Sequence, residues 1–490
     1  MITFLLSLIA LVFGYLIYGR FIEKVFGPDD RVTPAVAKAD GLDFMVLPNW
    51  KIFMIQFLNI AGTGPIFGAI MGAKFGPVAY LWIVFGCIFA GAVHDYFSGM
   101  LSMRHDGAGL PEMIGRYLGH ATKNVMLVFT VLLLIMVGTV FVYSPAEILH
   151  SIRGDTMMWV IIIFGYYIIA TLLPIDKIIG KVYPLFAFSL LFMAAALMVW
   201  LFLHWPTVPE LWSHCYNMGA ATHPDTWKDN IFPALFITIA CGAISGFHAT
   251  QSPLMARCVK SERMGRPIFY GAMITEGLVA LIWATVSAWF FYGSPSPGYE
   301  LIEAATKGFS TSAPAVVNLV CNDWLGVAGA VLAMLGVVAA PITSGDTAFR
   351  SGRLIVAEWL KMNQRPIANR LLICVPMFAC SIAMLVWQIE NPDGFNTIWQ
   401  YFGWSNQALS VFTLWTITVY LVRNDKPFWI TLIPALFMTT VCSTFIFVSK
   451  QALFLPANVG YPLGGVCLLV AVAWFVLWYR KEKNKKNTTK

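Results

Sequence analysis

Phe57-Leu58-Asn59-Ile60-Ala61-Gly62-Thr63-Gly64-Pro65-Ile66-Phe67-Gly68 is the stretch that decides the fold. It sits inside an apolar run at 50–74, where a plain membrane helix would be expected. Proline removes a backbone donor and glycine is a poor helix former, so two glycines beside Pro65 should interrupt that helix. A second stretch of this kind runs Ile239-Ala240-Cys241-Gly242-Ala243-Ile244-Ser245-Gly246-Phe247-His248-Ala249-Thr250-Gln251-Ser252-Pro253. Irregular backbone at membrane depth survives only where it lines an enclosed or watery cavity. One such segment reads equally well as close helix packing through small residues. Two of them, five spans apart and running in opposite directions, predict an inverted five-plus-five repeat with the first helix of each half broken at the midplane.

Working outward, the rest of the chain has the composition of a membrane protein. Of 490 residues, 58% are hydrophobic and 12% charged, where a soluble protein carries about 25% charged residues. Thirteen apolar runs are long enough to span: 2–19, 50–74, 77–101, 124–150, 157–173, 182–203, 231–256, 268–292, 324–346, 369–389, 397–422, 428–449 and 463–479. The expected fold is therefore all-α and polytopic, one transport domain over 1–490. Residues 1–24 form an extra N-terminal helix, 45–203 the first repeat and 231–422 the second. Two extra helices follow at 428–479, then a basic tail at 480–490. The run at 2–19 lacks a basic n-region and a cleavage site, and reads as a retained helix. With the N-terminus outside, the inside loops hold 26 Lys and Arg against 5 in the outside loops. That asymmetry obeys the positive-inside rule and places the tail in the cytoplasm. The net charge of +7 lies in short loops, so it is no nucleic-acid footprint. The longest polar stretches, 205–230 and 292–323, are expected as partly ordered outer caps.

Ionisable groups in a membrane are costly enough to be functional candidates. His94 and Asp95 come late in the third span, where snorkelling to the inner interface is the bland alternative. Glu276 lies about 12 Å from the inner end of the eighth span, with no easy route to water. His248 follows the second irregular stretch and could instead satisfy a loop carbonyl. Asp346 ends the ninth span behind Thr343-Ser344-Gly345. Asn406 and Gln407 lie midway in the eleventh, where they read more simply as hydrogen-bond glue between helices. Cysteines are mostly in apolar runs, and no CxxC pair or zinc-like Cys/His spacing occurs. Cys215 and Cys321 alone fall in outside loops, so a bond between them stays open.

At these residues the chain resembles the carbon starvation protein A family. The likeness rests on Ile60-Ala61-Gly62-Thr63-Gly64-Pro65, Ala90-Gly91-Ala92-Val93-His94-Asp95 with Arg104 and Gly107, and the run from Phe236 to His248. Tyr270-Gly271-Ala272-Met273 with Glu276, and Ser405-Asn406-Gln407, extend it over about residues 50–420. The resemblance implies the leucine-transporter-like fold of the amino acid–polycation–cation superfamily. It also implies import of pyruvate or small peptides when carbon is scarce, by a secondary transporter without cofactor. This chain lacks the extra C-terminal region of longer members, which leaves the substrate open.

Both substrates carry a carboxylate, which suits the positive N-terminal end of a half-helix. The expected substrate site is Gly62, Thr63, Gly64, Pro65, Gly242, Ser245, Gly246, Phe247 and His248, with Asn406 and Gln407. For the coupling ion, His94, Asp95, Glu276 and Asp346 could relay protons. Thr343 and Ser344 offer hydroxyls to a sodium ion, and the resemblance favours protons. An intramembrane metallo-hydrolase built on His94, Asp95 and His248 is the reading from another class; no HExxH-like helical pair supports it. A passive channel would need no inverted pair of broken helices.

Overall fold

A computed structural model of the chain describes residues 1–152, 154–172, 179–222, 229–293, 313–391 and 394–488. Among them every regular element is helical. The principal helices are α1 (Ile2–Phe26), α2 (Asn49–Ala61), α3 (Gly64–Phe75), α4 (Val78–Arg104) and α5 (Leu110–Leu118). Next come α6 (His120–Ile152), α7 (Thr156–Leu172), α8 (Ile179–His204), α9 (Ile231–Thr238) and α10 (His248–Ala256). The last are α11 (Glu262–Tyr292), α12 (Ala313–Trp359), α13 (Ile367–Glu390), α14 (Gly394–Arg423), α15 (Trp429–Val448) and α16 (Ala457–Thr488).

Nine helices among the described residues are long and apolar enough to cross a membrane, or ten when α2 and α3 count as one bent span. The sequence suggested thirteen, and local causes account for the difference. Residues 231–256 are divided between α9 and α10, each too short to cross alone. α7 has only 17 residues. α14 carries Asn, Gln, Ser and Thr along its length, which lowers its apolar character.

Burial separates centre from rim. In α11 83% of the most apolar stretch is buried in protein, against 17% in α16. α4, α10, α11 and α12 thus form the interior, while α1, α13 and α16 point Leu6, Phe13, Val375, Leu469 and Leu477 outward. One large apolar cluster wraps α2, α3, α9 and α10, and a smaller one joins α6, α7, α12 and α13.

One expectation needs correction, and two points that the sequence left open are decided. Asp346 does not end a span: α12 continues to Trp359, because the residues after Asp346 pack inside the protein and include fully buried Arg350 and Arg353. The thiols of Cys215 and Cys321 are both free, Cys215 exposed and Cys321 buried in α12, so no bond joins them. His94 and Asp95 do not snorkel to an interface; both have no exposed surface. Of the two outer stretches, residues 223–228 and 294–312 lie outside the described residues.

Arg350 and Arg353 face the segment before α2. Asp43 lies 3.1 Å from Arg353 and 3.6 Å from Arg350. The same segment hydrogen-bonds the end of α10, with Met45 N donating to Arg257 O and Leu47 N to Cys258 O.

Candidate functional site

Two interruptions of the backbone meet in the interior. α2 stops at Ala61, and Gly62 adopts φ 48°, ψ −146°, a conformation that residues with a Cβ rarely adopt. Thr63 follows, and α3 begins with Gly64 and Pro65 at an angle of 41° to α2. Proline suits this first turn, where a missing N–H is no loss. Gly64 and Pro65, expected outside the helix, therefore form its first turn. On the other side α9 ends at Thr238, and α10 begins at His248 after a string of turns. The two interruptions touch: a Cβ on Gly64 would run into the Cys241 side chain.

The second interruption is held by Asn406 of α14. Its Oδ1 accepts from Ser245 Oγ at 3.0 Å and from Phe247 N at 2.7 Å, and its carbonyl accepts from Gly246 N at 3.1 Å. Gln407 donates to Phe236 O at 2.8 Å and so ties α14 to α9. Asn406 is thus more than general glue, since it consumes the donors of Ser245, Gly246 and Phe247. Replacing it with Ala is expected to orphan two buried donors at roughly 1–3 kcal/mol each. A fall in the thermal unfolding midpoint of the purified Asn406→Ala protein would show this; an unchanged midpoint would argue against the anchor.

Four titratable side chains form a continuous chain across α4, α10 and α11. His94 Nδ1 lies 2.8 Å from Asp95 Oδ1, and His248 Nδ1 lies 2.9 Å from Asp95 Oδ2. His248 Nε2 then stands 3.5 Å from Glu276 Oε2. All four are fully buried. A carboxylate accepts only, so with neutral imidazoles Asp95 takes an N–H from each histidine and leaves a lone pair on each Nε2. His94 Nε2, His248 Nε2 and both Glu276 oxygens make no hydrogen bond. Two acceptors facing each other at 3.5 Å repel unless a proton or a cation lies between them. The pair His248–Glu276 thus has room for one proton or a cation between its acceptors.

Of the other expected site residues, Ser344 alone is seen to bond α2. Ser344 Oγ donates to Leu58 O at 3.0 Å, in the last turn before Gly62, whereas Thr343 Oγ1 turns back to Ala339 O and Ala340 O. Asp346 belongs to a different cluster, its Oδ2 lying 2.5 Å from the Tyr183 hydroxyl. Sequence reading missed Gln56, Asn59 and Gln251. Gln56 donates to Ser252 Oγ at 3.2 Å. Both polar atoms of the Asn59 amide and the Thr63 hydroxyl are buried without partners. Gln56 and Asn59, three residues apart on one face of a helix, carried a signal that could have marked them.

The profile of the family described as carbon starvation protein CstA matches residues 1–152, 144–325 and 301–445. This chain belongs to that family. An uncharacterized membrane protein of Haemophilus influenzae is 44% identical over 62% of this CstA-family chain and 95% of its own length. The peptide transporter CstA of Campylobacter jejuni is 28% identical, covering 87% of this chain and 76% of the relative. The pyruvate/proton symporter BtsT of Escherichia coli is 25% identical, covering 88% and 79%. Crystal structures of a manganese transporter from Eremococcus coleocola share the fold, with a TM-score of 0.56 over 91% of this chain and 99% of that one at 12% identity. The protein is a multi-pass bacterial membrane transporter and not an enzyme. The metallo-hydrolase reading falls with that result.

Proposed function

We propose that this CstA-family transporter imports a small carboxylate-bearing nutrient, pyruvate or a short peptide, by proton symport across the inner membrane during carbon starvation. The observation that carries the coupling is the buried chain His94–Asp95–His248–Glu276, with an unfilled acceptor pair at its end. It spans both interrupted segments' neighbourhoods, so a change in their packing alters which side can load the pair. The names of relatives supply the substrate class: peptide in one, pyruvate with a proton in the other.

In this reading α2–α3 and α9–α10 are broken spans that head the two inverted repeats at 45–203 and 231–422. Counting α7, α9–α10 and α14 as crossings makes thirteen, with the N-terminus outside and the basic tail inside. The substrate carboxylate docks against the first break, on the Thr63 hydroxyl and the Asn59 amide, between walls of Gly62, Gly64 and Pro65 on one side and Gly242 and Ser245 on the other. The Asn406 anchor accounts for this preference, because the donors of the second break are already in use.

Each hydrogen bond to a charged group is worth about 1.5–3 kcal/mol, a factor of about 10 or more in affinity. Asn59→Ala and Thr63→Ala are accordingly expected each to raise the half-saturating substrate concentration about tenfold or more. Unaltered saturation curves for both would remove the carboxylate from this place. The coupling itself is tested by uptake of labelled pyruvate and dipeptides into proteoliposomes, with an imposed pH gradient in sodium-free buffer. Concentrative uptake there supports the proposal. The sodium alternative has one observation in its favour, the Ser344 hydroxyl beside the carbonyl of Leu58. Uptake that requires sodium would move the coupling site to Ser344 and Thr343.

A further inference from the structure

We infer that Cys241, His248 and Glu276 form a binding site for a divalent transition-metal ion of the zinc or cobalt class, and that its occupation blocks transport. One ligand atom from each side chain, the Cys241 thiol sulfur, a His248 ring nitrogen and a Glu276 carboxylate oxygen, lies within 4.8 Å of the other two. All three residues are buried. They come from three places in the chain: the turns between α9 and α10, the first residue of α10, and the interior of α11.

The arrangement around these atoms points to a ligand. His248 Nε2 and both Glu276 oxygens are buried and make no hydrogen bond. A neutral His248, its Nδ1–H donated to Asp95 at 2.9 Å, presents that nitrogen as a lone pair. A carboxylate behind a histidine in this way fixes the tautomer and orientation that metal ligation needs. The His248–Glu276 separation of 3.5 Å is already close to the edge of a tetrahedron around zinc, about 3.3–3.7 Å for bond lengths of about 2.0–2.3 Å. The Cys241 sulfur, within 4.8 Å of both, supplies the third donor once the ion displaces the thiol proton.

The donor set selects the metal. A thiolate, an imidazole and one carboxylate suit zinc or cobalt, whereas magnesium and calcium require a shell of oxygens. Two anionic ligands also balance the charge of a dication within the ligand set. Three protein ligands leave a fourth position open. A bound ion would tie the second interruption to α11 and would occupy the lone pairs that the proposed proton path uses. The blockade of transport thus rests on the proton-symport reading; binding of the ion does not.

The test is a cobalt titration of the purified full-length protein, followed by absorbance. Ligation by Cys241 gives a thiolate-to-cobalt charge-transfer band in the near ultraviolet that Zn²⁺ abolishes by competition. The band is expected to be lost in Cys241→Ala, and Asp95→Asn is expected to weaken binding about 10–100-fold. No band in the wild-type protein at saturating Co²⁺, or an undiminished band in Cys241→Ala, overturns the site. In proteoliposomes Zn²⁺ is expected to inhibit uptake by the wild type. Inhibition of Cys241→Ser, normalised to its own metal-free rate, should require at least about tenfold more ion. Equal sensitivity of the two proteins would refute the blockade. A cobalt band without proton-driven uptake would sink the coupling reading alone. Proton-driven uptake with no cobalt band would sink the metal site alone.

Discussion

Glu276→Gln is expected to abolish accumulation of substrate against its gradient, while exchange of pre-loaded substrate across the same proteoliposome membrane continues. Glutamine has the shape of glutamate and keeps an acceptor. Its amide N–H can donate to the lone pair of His248 Nε2, which stands 3.5 Å from the carboxylate in the parent protein. The substitution therefore replaces two opposed acceptors with a donor and an acceptor, and the buried site has no packing reason to collapse. What it removes is the capacity to take up and release a proton. Net symport needs that release in every cycle, because the empty carrier must return unprotonated. Exchange does not, since the carrier returns loaded. The predicted phenotype is uptake that only equilibrates, with counterflow near the parental rate. A variant that still concentrates substrate under a pH gradient would exclude Glu276 as the coupling group. Loss of both activities together with loss of the folded monodisperse protein would place its role in the structure instead.

Asp43→Ala is expected to lower stability by about 3–5 kcal/mol, the usual cost of removing one partner from a buried ion pair. Asp43 lies between Arg353 at 3.1 Å and Arg350 at 3.6 Å, and both guanidinium groups are fully buried. Arg350 also donates to Ala170 O, and Arg353 to Gln364 Oε1. Without Asp43 two cations remain in the protein interior with less to neutralise them. Charge, not shape, sets the size of the effect, so Asp43→Asn should fall close to Asp43→Ala. The double variant Asp43→Leu with Arg353→Leu should recover part of the loss, because it removes a charge from each side. Unfolding midpoints in detergent, followed by loss of the monodisperse species, report all three. A parental midpoint for Asp43→Asn would mean that the arginines are balanced by something other than Asp43.

The residues differ in how much of this was legible beforehand. His94, Asp95, His248 and Glu276 stood out one by one, since an ionisable side chain in an apolar run costs too much to persist without a use. Nothing in their spacing joined them: Asp95 and His248 are 153 residues apart, and only the crossing of α4 and α10 brings them to 2.9 Å. Cys241 was set aside because no zinc-like spacing occurs around it, yet its neighbours in space come from α10 and α11. Asn406 read as ordinary helix glue, and its three bonds to the turns at 245–247 depend on how α14 packs. Asp346 was misjudged because Arg350 and Arg353 look, in sequence, like the start of an inner loop. Their partner, Asp43, lies some 310 residues away.

The amino-acid sequence by itself determined the solvent of this protein, its all-helical class, and the places where a helix cannot run through. These follow from the apolar composition, and from the backbone limits of Gly62 and Pro65, which act within a few residues. The tertiary structure alone decided which buried ionisable groups lie within reach of one another and which anchor the turns. Those outcomes depend on distances of 3–5 Å between side chains of separate helices. Such distances are set by the packing of the whole chain, and hydrophobic burial, being non-directional, leaves no trace of them in any one segment.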